Sequence, residues 1–198
     1  MTVRTFPLGH LQTNCYLLTD DAGHAVIVDP AGSGDGLADF LEKENLTLDA
    51  ICLTHVHYDH IGGLAALQAR TGAAVYLHPD DLSIEDTMSG GLLTVGTQPY
   101  PGTLRAGSLE ITVYHTPGHS PGSVCLQTED SLFCGDTLFF GSCGRTDFAG
   151  GSWEQMAASL RFLAQLEGDF TVYPGHGEST TLSTEREYNP YMQEAMRK

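Results

Sequence analysis

Short apolar and β-branched runs set off by turn residues fill the first thirty positions, and they predict strands at residues 3–8, 14–19 and 25–29. Asp20-Asp21-Ala22-Gly23 reads as a hairpin turn between the last two, and Pro30 with a Gly-rich run then breaks the pattern. Leu37, Phe40 and Leu41, three and four apart, predict an amphipathic helix over 36–45, followed by an apolar strand at 50–53. A second helix is predicted at 61–70, closed by Thr71-Gly72, with a strand at 74–77. Residues 79–107 show weak periodicity and many Gly and Pro, so they read as a loop-rich cover with room for a short helix. Strand patterns return at 109–115, 123–127 and 131–134. A helix over 153–166 has Ser152 as its N-cap, and a strand at 170–173 precedes a C-terminal helix over 184–197 interrupted near Pro190. This order predicts layered sheets with helices outside, not an alternating parallel sheet.

Composition narrows the classes. At 198 residues the chain has the length of one domain, 1–198, and 41% hydrophobic content excludes disorder. A formal net charge of −16 repels polyanions, so nucleic acid and anionic membrane surfaces are excluded as partners. The acidity has two readings: solubility, or carboxylates that hold cations. No stretch approaches the roughly 18 apolar residues of a membrane span, and the first fifteen residues lack a continuous apolar signal region. Five cysteines without a C-x-x-C pair fit a reducing cytoplasm, with Cys15, Cys52, Cys125 and Cys134 packing in apolar runs and Cys143 in a loop.

Chemistry concentrates in His55-Val56-His57-Tyr58-Asp59-His60-Ile61-Gly62-Gly63, just after a predicted strand. Converging polar groups in this H-x-H-x-D-H spacing need a partner to offset their desolvation, and a metal is that partner. His55 and His57 can project the same way from extended chain while Asp59 and His60 turn onto the next face, so one loop can serve two cations. Gly62-Gly63 are expected to let the backbone pass close beneath the site. His119, in Thr116-Pro117-Gly118-His119, Asp136, in Cys134-Gly135-Asp136, and His176, in Pro174-Gly175-His176-Gly177, stand at strand ends beside glycine. Five His and two Asp exceed one ion's needs and suffice for two sharing a carboxylate. His10, His24, His78 and His115 have no such context and read as ordinary residues. G-x-S-x-G, G-x-G-x-x-G and Walker motifs are absent.

These motifs, in this order and across essentially the whole chain, resemble the metallo-β-lactamase superfamily. The resemblance implies an α/β fold, an αββα sandwich with metals at one edge of two sheets. It assigns His55, His57 and His119 to a first metal, Asp59, His60 and His176 to a second, and Asp136 to both. Within the superfamily the chain is similar to small glyoxalase II-like (hydroxyacylglutathione hydrolase-like) proteins without a long C-terminal helical extension. That implies cleavage of a small-molecule thioester by metal-activated hydroxide, with Asp59 and Asp136 as catalytic carboxylates and two divalent ions, zinc first, iron or manganese also suited. Arg145, in Cys143-Gly144-Arg145, matches a carrier-binding position; it can hold a substrate carboxylate or pair with Asp147. A rival reading on the same fold is a persulfide dioxygenase, whose similar Gly-Arg-Thr-Asp-Phe stretch accompanies one iron on residues matching His55, His119 and Asp136; the Pro-Gly-His-Gly around His176 favours the hydrolase. A non-catalytic metal-binding module is the outsider.

Overall fold

The computed structural model describes residues 1–197. Strands β1 (Thr2–Leu8), β2 (Thr13–Thr19), β3 (His24–Val28), β4 (Thr47–Cys52) and β5 (Ala74–Tyr76) form a first sheet in sequential order. Its first three strands are antiparallel, as the hairpin pattern requires, and β3, β4 and β5 run parallel. Parallel neighbours need crossovers, which α1 (Gly34–Lys43) and α2 (Leu64–Thr71) supply. A 3₁₀ turn at Pro79–Ser83 and a short α3 (Glu85–Met88) occupy the loop-rich stretch.

The second sheet is built from β6 (Thr103–Ala106), β7 (Leu109–His115), β8 (Val124–Thr128) and β9 (Ser131–Gly135). A two-stranded ribbon follows, β10 (Leu138–Phe139) with β11 (Ser142–Cys143), then α4 (Trp153–Ala164). The chain returns to the second sheet with β12 (Thr171–Pro174) and β13 (Thr180–Thr181) and ends in α5 (Leu182–Tyr188) and α6 (Pro190–Arg197). Strand order is β13-β12-β9-β8-β7-β6, with β12 parallel to β9.

Side-chain alternation sorts the layers. Cys15, Leu17, Ala25 and Ile27 share a core with Leu37 and Leu41 of α1 and Leu64 and Leu67 of α2. Their neighbours Tyr16, Leu18, Val26 and Val28 face the second sheet and pack with Ile111, Leu126 and Phe133. Cys125, Leu132 and Cys134 turn the other way, onto Met156, Leu160 and Leu163 of α4 and Met192 of α6. The result is the expected αββα sandwich, and each fully buried Leu or Ile in it contributes about 1.5–3 kcal/mol.

Several local expectations shift. The second helix begins at Leu64, not 61, because residues 58–63 are spent in turns: the His60 N–H donates to the His57 carbonyl at 2.9 Å and the Gly63 N–H to that of Pro30 at 2.7 Å. Gly62 and Gly63 press against the 31–34 loop rather than under the ligands: a Cβ on Gly62 would lie 2.5 Å from the Ala31 carbonyl oxygen. The C-terminal helix breaks at Asn189, extended before Pro190, whose side-chain oxygen caps α6 through the N–H groups of Tyr191 and Met192. Ser152 caps α4 as expected. Strands β6, β10, β11 and β13 were too short to show periodicity. The four apolar-run cysteines are buried and Cys143 is half-buried; all are free, and burial pushes the Cys52 thiol up to about 12. Among the described residues no helix is long and apolar enough to cross a membrane.

Candidate metal centre

Strand ends from both sheets meet at one rim. Asp29 follows β3, residues 54–60 follow β4, His119 lies between β7 and β8, and Asp136 and His176 follow the parallel neighbours β9 and β12. The last pair is drawn together by the Gly175 N–H donating to the Gly135 carbonyl at 2.7 Å. A Cβ on Gly175 would lie 2.2 Å from Asp136 Oδ1, so only glycine allows this approach.

The structure brings all seven predicted residues to this rim. His55, His57 and His119 each offer a nitrogen within 4.8 Å of the others, and all three are buried. Asp59, His60 and His176 form a second such group. Asp136 stands between them: Oδ1 is 3.4 Å from His60 Nε2, and Oδ2 is 3.4 Å from His119 Nε2 and 3.7 Å from His176 Nε2. Asp59 Oδ2 lies 3.2 Å from His176 Nε2 and accepts the Thr13 hydroxyl at 3.2 Å.

A layer behind these residues fixes their tautomers. Thr54 Oγ1 donates to Asp29 Oδ2 at 2.6 Å, so toward His55 Nδ1, 3.0 Å away, it acts as acceptor. His60 Nδ1 donates to the same Asp29 oxygen at 2.9 Å, and His119 Nδ1 to the Arg145 carbonyl at 2.8 Å. In each ring the Nε2 lone pair is thereby turned to the centre, the usual arrangement for a ligating imidazole. Sequence reasoning missed Asp29, Thr54 and Thr13. Only Asp29 carried a signal, a carboxylate at a strand end just before Pro-Ala-Gly, the setting that singled out Asp136.

Burial depresses His57 to about 3, helped by the adjacent His119, and holds His55 well below its ordinary value, helped by His60. For His60 burial acts downward too, but Asp136 and Asp29 outweigh it and raise the ring well above its ordinary value. The hydrogen bond with Asp59 raises His176. Burial pushes Asp136 and Asp59 upward, yet His60 for the first, and the His176 hydrogen bond for the second, hold both below the carboxylate range.

The donor set fits divalent metal ions. Among the described residues, Nε2 of His55, His57 and His60 and Oδ1 of Asp136 are buried side-chain atoms without a hydrogen-bond partner. An unsatisfied buried polar group costs about 1–3 kcal/mol. Those of His55, His60 and Asp136 belong to the ligand groups, while His57 turns its other nitrogen, Nδ1, to within 2.8 Å of His119 Nε2. Mixed imidazole and carboxylate ligands suit zinc, iron or manganese.

A cavity of about 460 Å³ opens above His57, Asp59, His119, Asp136 and His176, walled by Leu11, Tyr58, Phe139 and Phe148. Arg145 borders it and at the same time pairs with Asp147 through two 2.7 Å hydrogen bonds, its guanidinium 4.0 Å from the Phe148 ring centre. Away from the rim, His24 pairs with Asp49, and His78 and His115 stack at 4.0 Å beside Asp80. Their planes are only 8° apart, so one ion cannot lie in both.

The metallo-β-lactamase superfamily model matches residues 8–176. Among curated relatives, "Probable metallo-hydrolase YqgX" of Bacillus subtilis (strain 168) is 35% identical over 97% of this chain and 98% of its own length. Hydroxyacylglutathione hydrolase GloC of Haemophilus influenzae is 30% identical over 97% and 98%. Among solved structures, BLEG-1 B3 metallo-β-lactamase superposes with a TM-score of 0.84 at 38% identity, covering 96% of this chain and 99% of that one. TTHA1623 in a di-iron-bound form gives 0.85 at 36%, covering 96% and 100%. ETHE1 from Myxococcus xanthus gives 0.84 at 32%, covering 99% and 88%. The chain belongs to the metallo-β-lactamase superfamily. Its fold is that of the superfamily's metallo-hydrolases, and glyoxalase II proteins are among its relatives.

Proposed function

We propose that this chain is a metal-dependent hydrolase that cleaves thioesters of the S-(2-hydroxyacyl)glutathione type in the cytoplasm. The observation that carries the reading is Asp136, whose two oxygens face His60 on one side and His119 and His176 on the other. We assign His55, His57 and His119 to one cation, Asp59, His60 and His176 to a second, and Asp136 to both. A pair of divalent cations, when bound, lowers the pKa of water toward neutrality and polarises an acyl carbonyl.

The chain's own groups do the rest. Thr54 and Asp29 take up the Nδ1 sides of His55 and His60, so that the Nε2 atom of each ring is the one aimed at the floor. Asp59, held by Thr13, borders the cavity as the carboxylate that orients the attacking water and takes its proton. Leu11, Tyr58, Phe139 and Phe148 exclude bulk water from the acyl group, while Arg145 offers a guanidinium at the mouth for a carboxylate of the thiol carrier. A thiolate leaves without a general acid. Cys143 lines the cavity with its thiol pushed up to about 11 by burial, so it stays protonated near neutral pH and is no nucleophile. The name of GloC supports the thioester, and the di-iron neighbour supports two ions.

A second reading, a mononuclear-iron persulfide dioxygenase using His55, His119 and Asp136, draws on the likeness to ETHE1 and on the Cys143–Phe148 stretch. Elemental analysis of the purified protein, with assays on S-lactoylglutathione and on glutathione persulfide, separates the two. The hydrolase reading expects thioester cleavage with no oxygen uptake. One bound iron with persulfide-dependent oxygen consumption and an intact thioester would overturn it.

A further inference from the structure

Asp81 is a fully buried carboxylate outside the seven-residue floor. It sits in the Pro79–Ser83 turn, and its two oxygens are spent on two different loops. Oδ2 accepts the backbone N–H of Val56 at 2.8 Å, and Oδ1 accepts that of Gly122 at 2.6 Å. Val56 stands between His55 and His57, on the loop leaving β4 of the first sheet. Gly122 lies three residues beyond His119, on the loop between β7 and β8 of the second sheet. One carboxylate thus ties together the two loops that supply the first ligand group, across the seam between the sheets. The surroundings are shaped to it: a Cβ on Gly122 would lie 2.7 Å from both Asp81 N and Asp81 Oδ1, so glycine is needed for this approach. The Val56 side chain is buried in the core beneath α1 and α2, which anchors its loop with the N–H toward Asp81.

The geometry points to Asp81 as a positioning residue that sets the spacing of His55 and His57 from His119, and through it the affinity of that group for a divalent cation. The inference rests on the metal-pair reading above. An ionised carboxylate can accept from both loops at once. An amide of the same shape has a single oxygen and turns an N–H toward the other donor, so Asp81→Asn releases one loop while the packing stays. Asp59 and His60, further along the Val56 loop, have holds of their own in Thr13 and Asp29, and His176 stands on a third loop that Asp81 does not touch.

The test titrates wild-type protein and Asp81→Asn with Zn(II) and Co(II) against a chromophoric chelator, following Co(II) absorption, with thermal unfolding of the metal-free forms alongside. Wild type is expected to show two binding steps. In Asp81→Asn one step weakens about 10–100-fold, the scale seen when a group behind a ligand is lost, and its Co(II) spectrum changes while the other step holds. In a His119→Ala background, which already lacks the first group, adding Asp81→Asn leaves the remaining step unchanged. Should Asp81→Asn fail to fold, Gly122→Ala, which crowds the carboxylate at one loop only, carries the same expectation. Two unchanged steps overturn the inference. So does equal weakening of both steps with a lowered metal-free Tm, which makes Asp81 a general structural support. A wild-type protein that binds only one ion sinks the metal-pair reading and this inference with it, an outcome visible before any variant is made.

Discussion

The two halves of the metal floor are made of the same residue types and are tuned in opposite directions. His55 and His57 lie in a buried trio of imidazoles, where burial and the neighbouring rings keep these two neutral. His60 and His176 face carboxylates, Asp29, Asp59 and Asp136, that favour a proton on the ring. The His55 and His57 rings therefore have no proton to give up when a cation binds. The second half must release protons to bind one, and its carboxylates then neutralise more of the ion's charge. Under the two-cation proposal, one ion would be held through nitrogen geometry and the other through charge.

Removing the group common to both halves has the largest expected effect. Asp136→Ala is expected to lose at least one cation and about 10²–10³-fold or more in turnover, the scale for deleting a group that holds transition-state charge; metal content and rate on S-lactoylglutathione check it. A fully loaded, active variant would break the assignment of Asp136 to both halves. Next comes Asp29→Asn. Because Asp29 Oδ2 receives both His60 Nδ1 and the Thr54 hydroxyl behind His55, cation affinity should fall about 10–100-fold, more at the His60 half, in chelator competition.

Acid sharpens the contrast further. His60, raised above its unfolded value of about 6.5, stabilises the metal-free protein fully below that pH, and the contribution is lost as pH rises through the raised pKa. His57, depressed to about 3, does the reverse: it costs stability as pH falls from the unfolded value toward 3. With metal present, His60 and His176 take back protons first, so acidification from pH 8 to 6 is expected to empty the second half before the first. Metal content against pH on wild type and His119→Ala checks the order. The smallest effect is at the back of the His176 loop, where Tyr16 Oη donates to the Pro174 carbonyl at 2.5 Å and Asn14 Nδ2 reaches the same oxygen. Tyr16→Phe should cost about 1 kcal/mol in denaturant unfolding, since Asn14 still satisfies that carbonyl.

The same contrast explains what could be read from the sequence. The H-x-H-x-D-H run was legible because four ligands share six residues, and His119, Asp136 and His176 because each sits beside glycine at a strand end. Layered sheets with helices outside were legible in the element order, and the sandwich in the resemblance of the motifs. Which core each residue of a continuous apolar run such as Cys15-Tyr16-Leu17-Leu18 enters was not legible, since odd and even members part only on folding. Asp29, Thr54, Thr13 and Asp81 were not, because each acts through partners brought close only by folding: Asp81 lies 25 residues from Val56 and 41 from Gly122. Strand β6 escaped because four residues, with only Leu104 and Ala106 buried, cannot establish a period. Arg145 was read with two roles open, and the hydrogen bonds to Asp147 show one of them while the residue still borders the cavity.

The most direct measurement is anomalous diffraction from crystals of the zinc- or iron-loaded protein. Two peaks about 3.5–4 Å apart are expected, the spacing of catalytic metal pairs, one against His55, His57 and His119 and the other against Asp59, His60 and His176, with an Asp136 oxygen reaching each. A single peak at full loading, or Asp136 turned away from both ions, would contradict the account.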